Sequence, residues 1–245
     1  MRNVRLIVEY EGTNYAGWQI QDGLPTVQGS LADAVGELTG TEVIIRGASR
    51  TDAGVHALGQ VACFNTLSTI PASSMARALN SKLPGDIVVI EATDADPAFD
   101  PRRDSKSKTY LFRILNRPMP SAVHARFSWF VYEPLDIGLM REAASHFIGE
   151  KDFASFMAAH SDAAHSIREV TGVAIERRGE EIVEVQVMGT AFLRHMVRIM
   201  VGTLVEAGKG KLPPDGVLPI LDAKDRRVAR MTAPPQGLCL VSVEY

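Results

Sequence analysis

The stretch "VIIRGASRTDAGVHALGQVACF", residues 43–64, sets two apolar runs around a polar turn. Val43, Ile44 and Ile45 precede the turn, and Val61, Ala62, Cys63 and Phe64 follow it. Both runs have the β-branched, apolar character of buried strands. Between them stands Ser49-Arg50-Thr51-Asp52-Ala53-Gly54, with Gly47 and Gly54 free to bend the backbone sharply. A strand–turn–strand here fixes the order of everything around it. Upstream, "NVRLIVEY" (3–10) alternates as a strand, and Thr26 can cap a helix over "VQGSLADAVGEL". Downstream, "PASSMARALNSKL" (71–83) opens on Pro as helices do, and "DIVVIEATDA" (86–95) is a strand. With strands expected at 42–47 and 59–65, the first half reads β-α-β-β-α-β, the order of a ferredoxin-like split unit.

Residues 97–108 form a polar, Pro-containing bridge. The second half then offers strands at 109–116 and 127–132 and a helix over 136–148. Two strands meeting at Arg178-Gly179 follow, then helices over 192–207 and 214–222, and "GLCLVSVEY" closes the chain as a strand. The expected fold is α+β, with an N-terminal half over 1–104 and a C-terminal half over 105–245. The connections are short, so the halves are expected to pack closely around one cleft.

Composition narrows the function. Hydrophobic residues make up 46% and charged residues 22% of 245 residues, which is ordinary globular usage. The N-terminus carries no signal-peptide pattern and no apolar run spans a bilayer, so a cytoplasmic protein without a membrane partner is expected. Cys63 and Cys239 lie in apolar runs and read as buried thiols; no Cys/His spacing suggests a metal. Phosphate-loop, dinucleotide and nucleophile-elbow motifs are absent. The net charge of −3 does not point to nucleic acid, yet "RRDSKSK" (102–108) and "KDRRVAR" (224–230) each hold four cations against one Asp. Arg177 and Arg178 form a third basic spot, and any one such patch is usually a solvated face.

Three groups can carry chemistry. Asp52 in a turn commonly just accepts backbone N–H groups, but Arg50, Thr51 and His56 beside it favour a site. Arg198 falls at the edge of the apolar face formed by Leu193, Met196, Val197, Met200, Val201 and Leu204. It either snorkels to water or offers a forked donor set to a carboxylate. Gly202, one turn on, costs helix stability of about 1 kcal/mol against Ala and makes room for a close approach. Tyr110 opens a strand behind Lys106 and Lys108; it is core, or it stacks on a base while the cations hold phosphates. Tyr15 and Trp18 invite the same two readings, while Phe153 and Phe156 read as core. His56 and His195 can contact phosphate or satisfy polar neighbours.

In chain order, "YEGTNYAGWQIQ", "TVQGSLADAV", "RTDAGVHALGQVACF", "LNSKLPGDIVV", "SKTY", "GEKDFASF", "AFLRHMVRIMVGTL" and "PPQGLCLVSVEY" together resemble the tRNA pseudouridine synthase A family over essentially the whole chain. "RTDAGVHA" is the most specific of these motifs. The resemblance implies two ferredoxin-like halves whose mainly antiparallel sheets meet at a catalytic cleft. It implies isomerisation of uridine to pseudouridine at positions 38, 39 and 40 of the tRNA anticodon stem-loop, by a homodimer needing no metal or organic cofactor. Asp52 would be the catalytic aspartate, Tyr110 the aromatic that takes the proton from C5, Arg198 the residue that orients Asp52, and Leu238 a wall of the base pocket. Arg50, His56, Arg102, Lys106 and Lys108 join Tyr110 and Leu238 as expected substrate contacts. Ser49, Asp100 and Cys239 depart from the family pattern, which commonly has Gly, His and an aromatic there. The residues leave two other readings open. A non-catalytic RNA-binding module shares the strand–helix order but normally carries a Lys/Arg-Gly-Phe/Tyr-Gly/Ala-Phe-Val signature, not found here. A glycoside hydrolase using Asp52 would yield free uracil.

Overall fold

The computed structural model describes residues 1–159 and 164–245. The chain divides into two compact units, Met1–Lys106 with Leu240–Tyr245, and Ser107–Cys239.

The first unit begins with β1 (Arg2–Tyr10), α1 (Val27–Thr39), β2 (Arg46–Gly47), β3 (His56–Thr66), α2 (Ala72–Asn80) and β4 (Ile87–Ala95). β1 runs antiparallel to both β3 and β4, and β2 lies on the far side of β3, giving the ferredoxin-like order 4-1-3-2. Helix α1 starts where the Thr26 hydroxyl accepts the Gly29 N–H, and it ends at Gly40, whose φ of 70° suits the left-handed conformation. Its Val27, Leu31, Ala34 and Val35 are buried, as the spacing predicts. Helix α2 buries Met75 and Leu79 and is pinned to β4 by Asn80, whose amide donates to Val89 O and accepts from Val89 N.

The strand expected over 42–47 shrinks to Arg46–Gly47. Ile44 is 83% exposed, so the apolar run is not a buried strand along its length. Gln28 of α1 explains where pairing begins. Its Nε2 donates to Ile45 O at 2.6 Å, so that carbonyl is engaged by a helix rather than by a ladder.

The second unit holds β5 (Ser107–Asn116), β6 (Trp129–Val131), α3 (Ile137–Ser145), β7 (Gly149–Asp152), β8 (Ile167–Arg178), β9 (Ile182–Gly189), α4 (Met196–Gly208) and α5 (Val217–Ala223). Its strands run in the order β5-β9-β8-β7, all antiparallel, with β6 parallel to β5. β7 was not expected, since "GEKD" lacks the apolar alternation that marks a strand. Helix α4 begins four residues later than its apolar pattern, because His195 adopts a left-handed φ of 64° at the cap. It is also buried nearly all round rather than on one face, with Ile199, Gly202, Thr203 and Val205 enclosed too. Phe147, Phe153 and Phe156 form one aromatic cluster beneath it, with centroids 5.1–6.4 Å apart.

The closing strand β10 (Leu238–Glu244) starts in the second unit and ends in the first. From Leu240 onward it belongs with β3, its neighbour in the first unit, because a Cβ built on Gly59 would lie 2.4 Å from Val241 O. Lys106 N also donates to Glu244 O at 2.8 Å. The architecture is therefore α+β with mainly antiparallel pairing. No helix among the described residues is long and apolar enough to cross a membrane.

Gly202 marks a backbone contact. A Cβ there would stand 2.0 Å from Met231 O. Gly202→Ala is expected to lower stability by about 1–3 kcal/mol, the usual cost of overpacking, despite the better helix propensity of Ala. Urea denaturation measures it, with Gly85→Ala as control, since nothing lies within 4 Å of that position. Equal midpoints for the two variants would contradict the assignment.

Candidate active site

Asp52 stands in the turn between β2 and β3, half-buried. The turn is held from beneath by one buried side chain. Gln60, fully enclosed in β3, donates to Ser49 O at 2.7 Å and accepts Ser49 N at 3.2 Å. This amide pairs with a backbone residue as a neighbouring strand would. The same Gln60 amide lies 3.4 Å from the Tyr10 hydroxyl, and Tyr10 shares a 2.7 Å hydrogen bond with the Thr51 hydroxyl.

From above, the segment following β1 closes over the turn. Trp18 N donates to Thr51 O at 3.0 Å, and Gly54 N donates to Tyr15 O at 3.3 Å. Glycines let the two segments touch. Gly17 has φ of 100° and its absent Cβ would fall 2.6 Å from Thr51 O; that of Gly12 would fall 2.0 Å from Val55 O. Gly47 admits the Trp18 indole, which a Cβ would meet at 2.5 Å. Tyr15 is itself anchored, donating to Asp86 Oδ1 at 2.5 Å. Burial, followed by Asp86, pushes its phenol well above the ordinary range, so it stays a proton donor to that carboxylate. Tyr15 and Trp18, at 8% and 2% exposure, are thus scaffold for the turn and not open stacking surfaces.

His56 is buried, and its Nδ1 accepts the Gly12 N–H at 3.0 Å. That contact places the ring's proton on Nε2 in the neutral form and gives His56 a role in closing the turn. Arg50 and Arg102 are exposed and line one concavity together with Arg46. Lys106 is exposed but lies outside that lining.

In the second unit, Tyr110 sits opposite Val187 in the β5–β9 ladder, 6% exposed. Its ring meets Phe192 edge-to-face at 5.3 Å between centroids. Lys108, expected as a surface contact, is 7% exposed and pairs with Gly189 in the same ladder. Arg198 is half-buried and does not simply reach for water. Its Nε donates to Ala233 O at 2.8 Å, while Ala233 N donates to Arg198 O at 3.0 Å. Leu238 is buried at the start of β10. The other basic stretches are largely compensated. Arg227 pairs with Asp225 at 2.6 Å, and Arg178 pairs with Glu176 and Glu184 at 2.7 and 3.3 Å. Arg227 holds the Asp225 carboxyl down at about 2. Among the described residues no cluster of three or more His, Cys, Asp or Glu is placed to hold a metal ion.

Sequence reasoning passed over Gln60 and Arg46. The first left a signal: a single amide within the apolar run "VACF" and its approach, where an unpaired polar group would be costly. Arg46 left none, because only the fold brings it beside Arg50 and Arg102.

A family model described as tRNA pseudouridine synthase matches residues 6–102 and 143–245. The chain belongs to the tRNA pseudouridine synthase family. Members named tRNA pseudouridine synthase A from Myxococcus xanthus and from Thermoanaerobacter sp. (strain X514) are 44% and 47% identical to it over all 245 residues. Those alignments span 92% and 100% of the relatives' own lengths. A third, from Geotalea uraniireducens, is 44% identical over the full length of both chains. A solved Cbf5–Nop10–Gar1 complex aligns over 82% of this chain and 53% of its own, with TM-score 0.36 and 10% identity, too slight a likeness to build on. Family membership makes the protein an isomerase of tRNA uridines.

Proposed function

We propose that the protein converts uridine to pseudouridine at positions 38, 39 and 40 of the tRNA anticodon stem-loop, acting as a cytoplasmic homodimer. Asp52 supplies the carboxylate, Tyr110 the phenol that takes the proton from C5, and Arg198 the cation that serves Asp52. Leu238 is a wall of the base pocket, and Arg50, His56, Arg102, Lys106 and Lys108 are RNA contacts or hold them in place. The Asp52 half of this machinery lies in the first half of the chain, and Tyr110, Arg198 and Leu238 lie in the second.

The observation that carries the reading is the grip on the Asp52 turn. A carboxylate is seldom secured by a fully buried amide, two tyrosines and three close glycine approaches merely to cap a turn. Such rigidity suits a group that must meet a reacting atom in one geometry. The reaction breaks the bond from C1′ to N1, turns the base, and rejoins it to C1′ through C5. The C5 hydrogen leaves as a proton and N1 gains one. No water is consumed, so a single carboxylate suffices, unlike the paired carboxylates of inverting glycoside hydrolysis. It acts as a nucleophile or as a base at the sugar. The target base sits in a stem or loop and has to leave its stack, which calls for cations on the flanking phosphates.

Tritium release from tRNA transcripts carrying [5-³H]uridine tests the proposal directly. Release with retention of the base in the RNA is the expected result. Free uracil in stoichiometric yield would indicate a hydrolase, and bound tRNA without any release would indicate a binding module.

A further inference from the structure

Arg46, Arg50 and Arg102 line a single concavity of about 290 Å³ in the first unit, beside Trp18, Gln28 and Asp100. Three guanidinium groups in one small space repel each other unless something negative joins them. Several arginines elsewhere in the chain pair with carboxylates. Arg103, Arg113, Arg117, Arg178 and Arg227 all pair within 3.3 Å. Among the described residues, none of the three in the pocket forms such a pair.

Asp100 is the single carboxylate in the lining, and it is spent locally. Its Oδ1 accepts the N–H groups of Arg102 and Arg103, each at 2.9 Å, which caps its own turn. Three guanidiniums against one carboxylate leave an excess of two positive charges. Arg46 is the most committed of the three. Its backbone pairs with Cys63 in the β2–β3 ladder, and its Nη2 is shielded from solvent without a hydrogen-bond partner. A shielded, unused donor of a charged group costs stability until an acceptor reaches it.

The rest of the lining shows which acceptor fits. Trp18 is 2% exposed, so it offers no face for a base to stack on. Gln28 has used both ends of its amide, accepting Ile20 N at 2.9 Å and donating to Ile45 O at 2.6 Å. The other amide of the lining, Gln19, is exposed at the rim, where the three guanidinium groups outnumber it. What the pocket offers is charge and forked donors, the pairing that suits a phosphate oxygen.

We propose that this pocket seats a backbone phosphate of the tRNA, with Arg46 as its inner donor and Arg50 and Arg102 at its mouth. The inference rests on the tRNA reading above and adds a contact whose role is positional and indifferent to sequence. Asp100 weakens the seat by one charge, which makes it a tuning residue.

The test is filter binding of a tRNA transcript to the full-length protein across a series of KCl concentrations. Arg46→Gln is expected to weaken binding about tenfold at low salt and to lower the slope of log affinity against log salt by about 0.9, the share of one phosphate. Arg46→Lys keeps the charge and should keep the slope, with an intermediate affinity. Asp100→Asn, which preserves an acceptor for the turn, should bind about threefold more tightly, as one fewer repelling charge predicts. Wild-type slope and affinity in Arg46→Gln would overturn the pocket. So would an equal fall in slope for Arg46→Lys, since that would mean damage to the fold. Tritium release by wild type on the same transcript judges the synthase reading separately, and the salt slopes judge the pocket whether or not release occurs.

Discussion

Asp52→Asn is expected to release no measurable tritium from [5-³H]uridine tRNA, a fall of at least about a thousandfold, as removal of an essential acid–base or nucleophilic group produces. The substitution is nearly isosteric. The turn should survive it, because the contacts that hold the turn come from Gln60, Tyr10, Trp18 and Tyr15 to its backbone and to Thr51. What is lost is the charge and the lone pair that act on the sugar or base. Binding should stay within about tenfold of wild type, since phosphate contacts dominate affinity for RNA. Filter binding beside the tritium assay separates these effects. Loss of binding in step with loss of turnover would reject Asp52 as the catalytic group and make it a structural one.

Gln60→Leu should have the next largest effect. Leucine fills the space but removes both hydrogen bonds that the Gln60 amide makes to the half-buried Ser49 backbone. Each lost hydrogen bond contributes about 0.5–1.5 kcal/mol, so a loss of about 2 kcal/mol in unfolding free energy is expected. In the folded fraction, kcat should fall more than KM rises, because the turn shifts while the phosphate contacts remain. Gln60→Glu separates position from bulk. It still accepts from Ser49 N, but it no longer donates to Ser49 O, and it brings a carboxylate into an enclosed site. Its activity should be lower than its size suggests. Wild-type kcat in either variant at full stability would remove Gln60 from any role in positioning Asp52.

The order of elements in the first half was legible in the sequence because each helix and strand carried its own period and its own punctuation. Thr26 capped α1, Gly40 ended it, and alternation marked β1. Where an apolar run served something other than a ladder, the reading failed. Ile44 looks like a strand residue and is exposed, and beside it the carbonyl of Ile45 is taken by Gln28 of α1 instead of a ladder. The start of α4 was misplaced since no periodicity reports a left-handed histidine at a cap. Asp52 could be singled out from its odd setting in a small-residue turn. Its supports could not, because Tyr10, Tyr15, Trp18 and Gln60 are separated along the chain and come together only through hydrogen bonds. In the sequence the loop aromatics Tyr15 and Trp18 balance evenly between stacking and core. Burial decides for core, and the close glycine approaches show why the loop can be so tight. Basic stretches misled in the other direction. Most cations of 224–230 and the Arg177–Arg178 spot have partners within the fold, whereas Arg46, in no basic stretch at all, keeps a shielded Nη2 without an acceptor among the described residues.

The closing strand has a consequence for how the protein is made. Residues Leu240–Tyr245 complete the first unit: Tyr245 donates to Pro101 O at 2.8 Å, its ring meets Phe99 at 5.0 Å, and Arg5 lies over it at 5.5 Å. A ribosome has to translate the whole second unit before it supplies that strand. During that interval β1 through β4 are already outside the exit tunnel, and the part of β3 near Gly59 has an unpaired edge. Bare edges recruit other strands. The edge of β3 therefore stays open until late in synthesis, and that interval is when the nascent N-terminal unit is most exposed to wrong pairing.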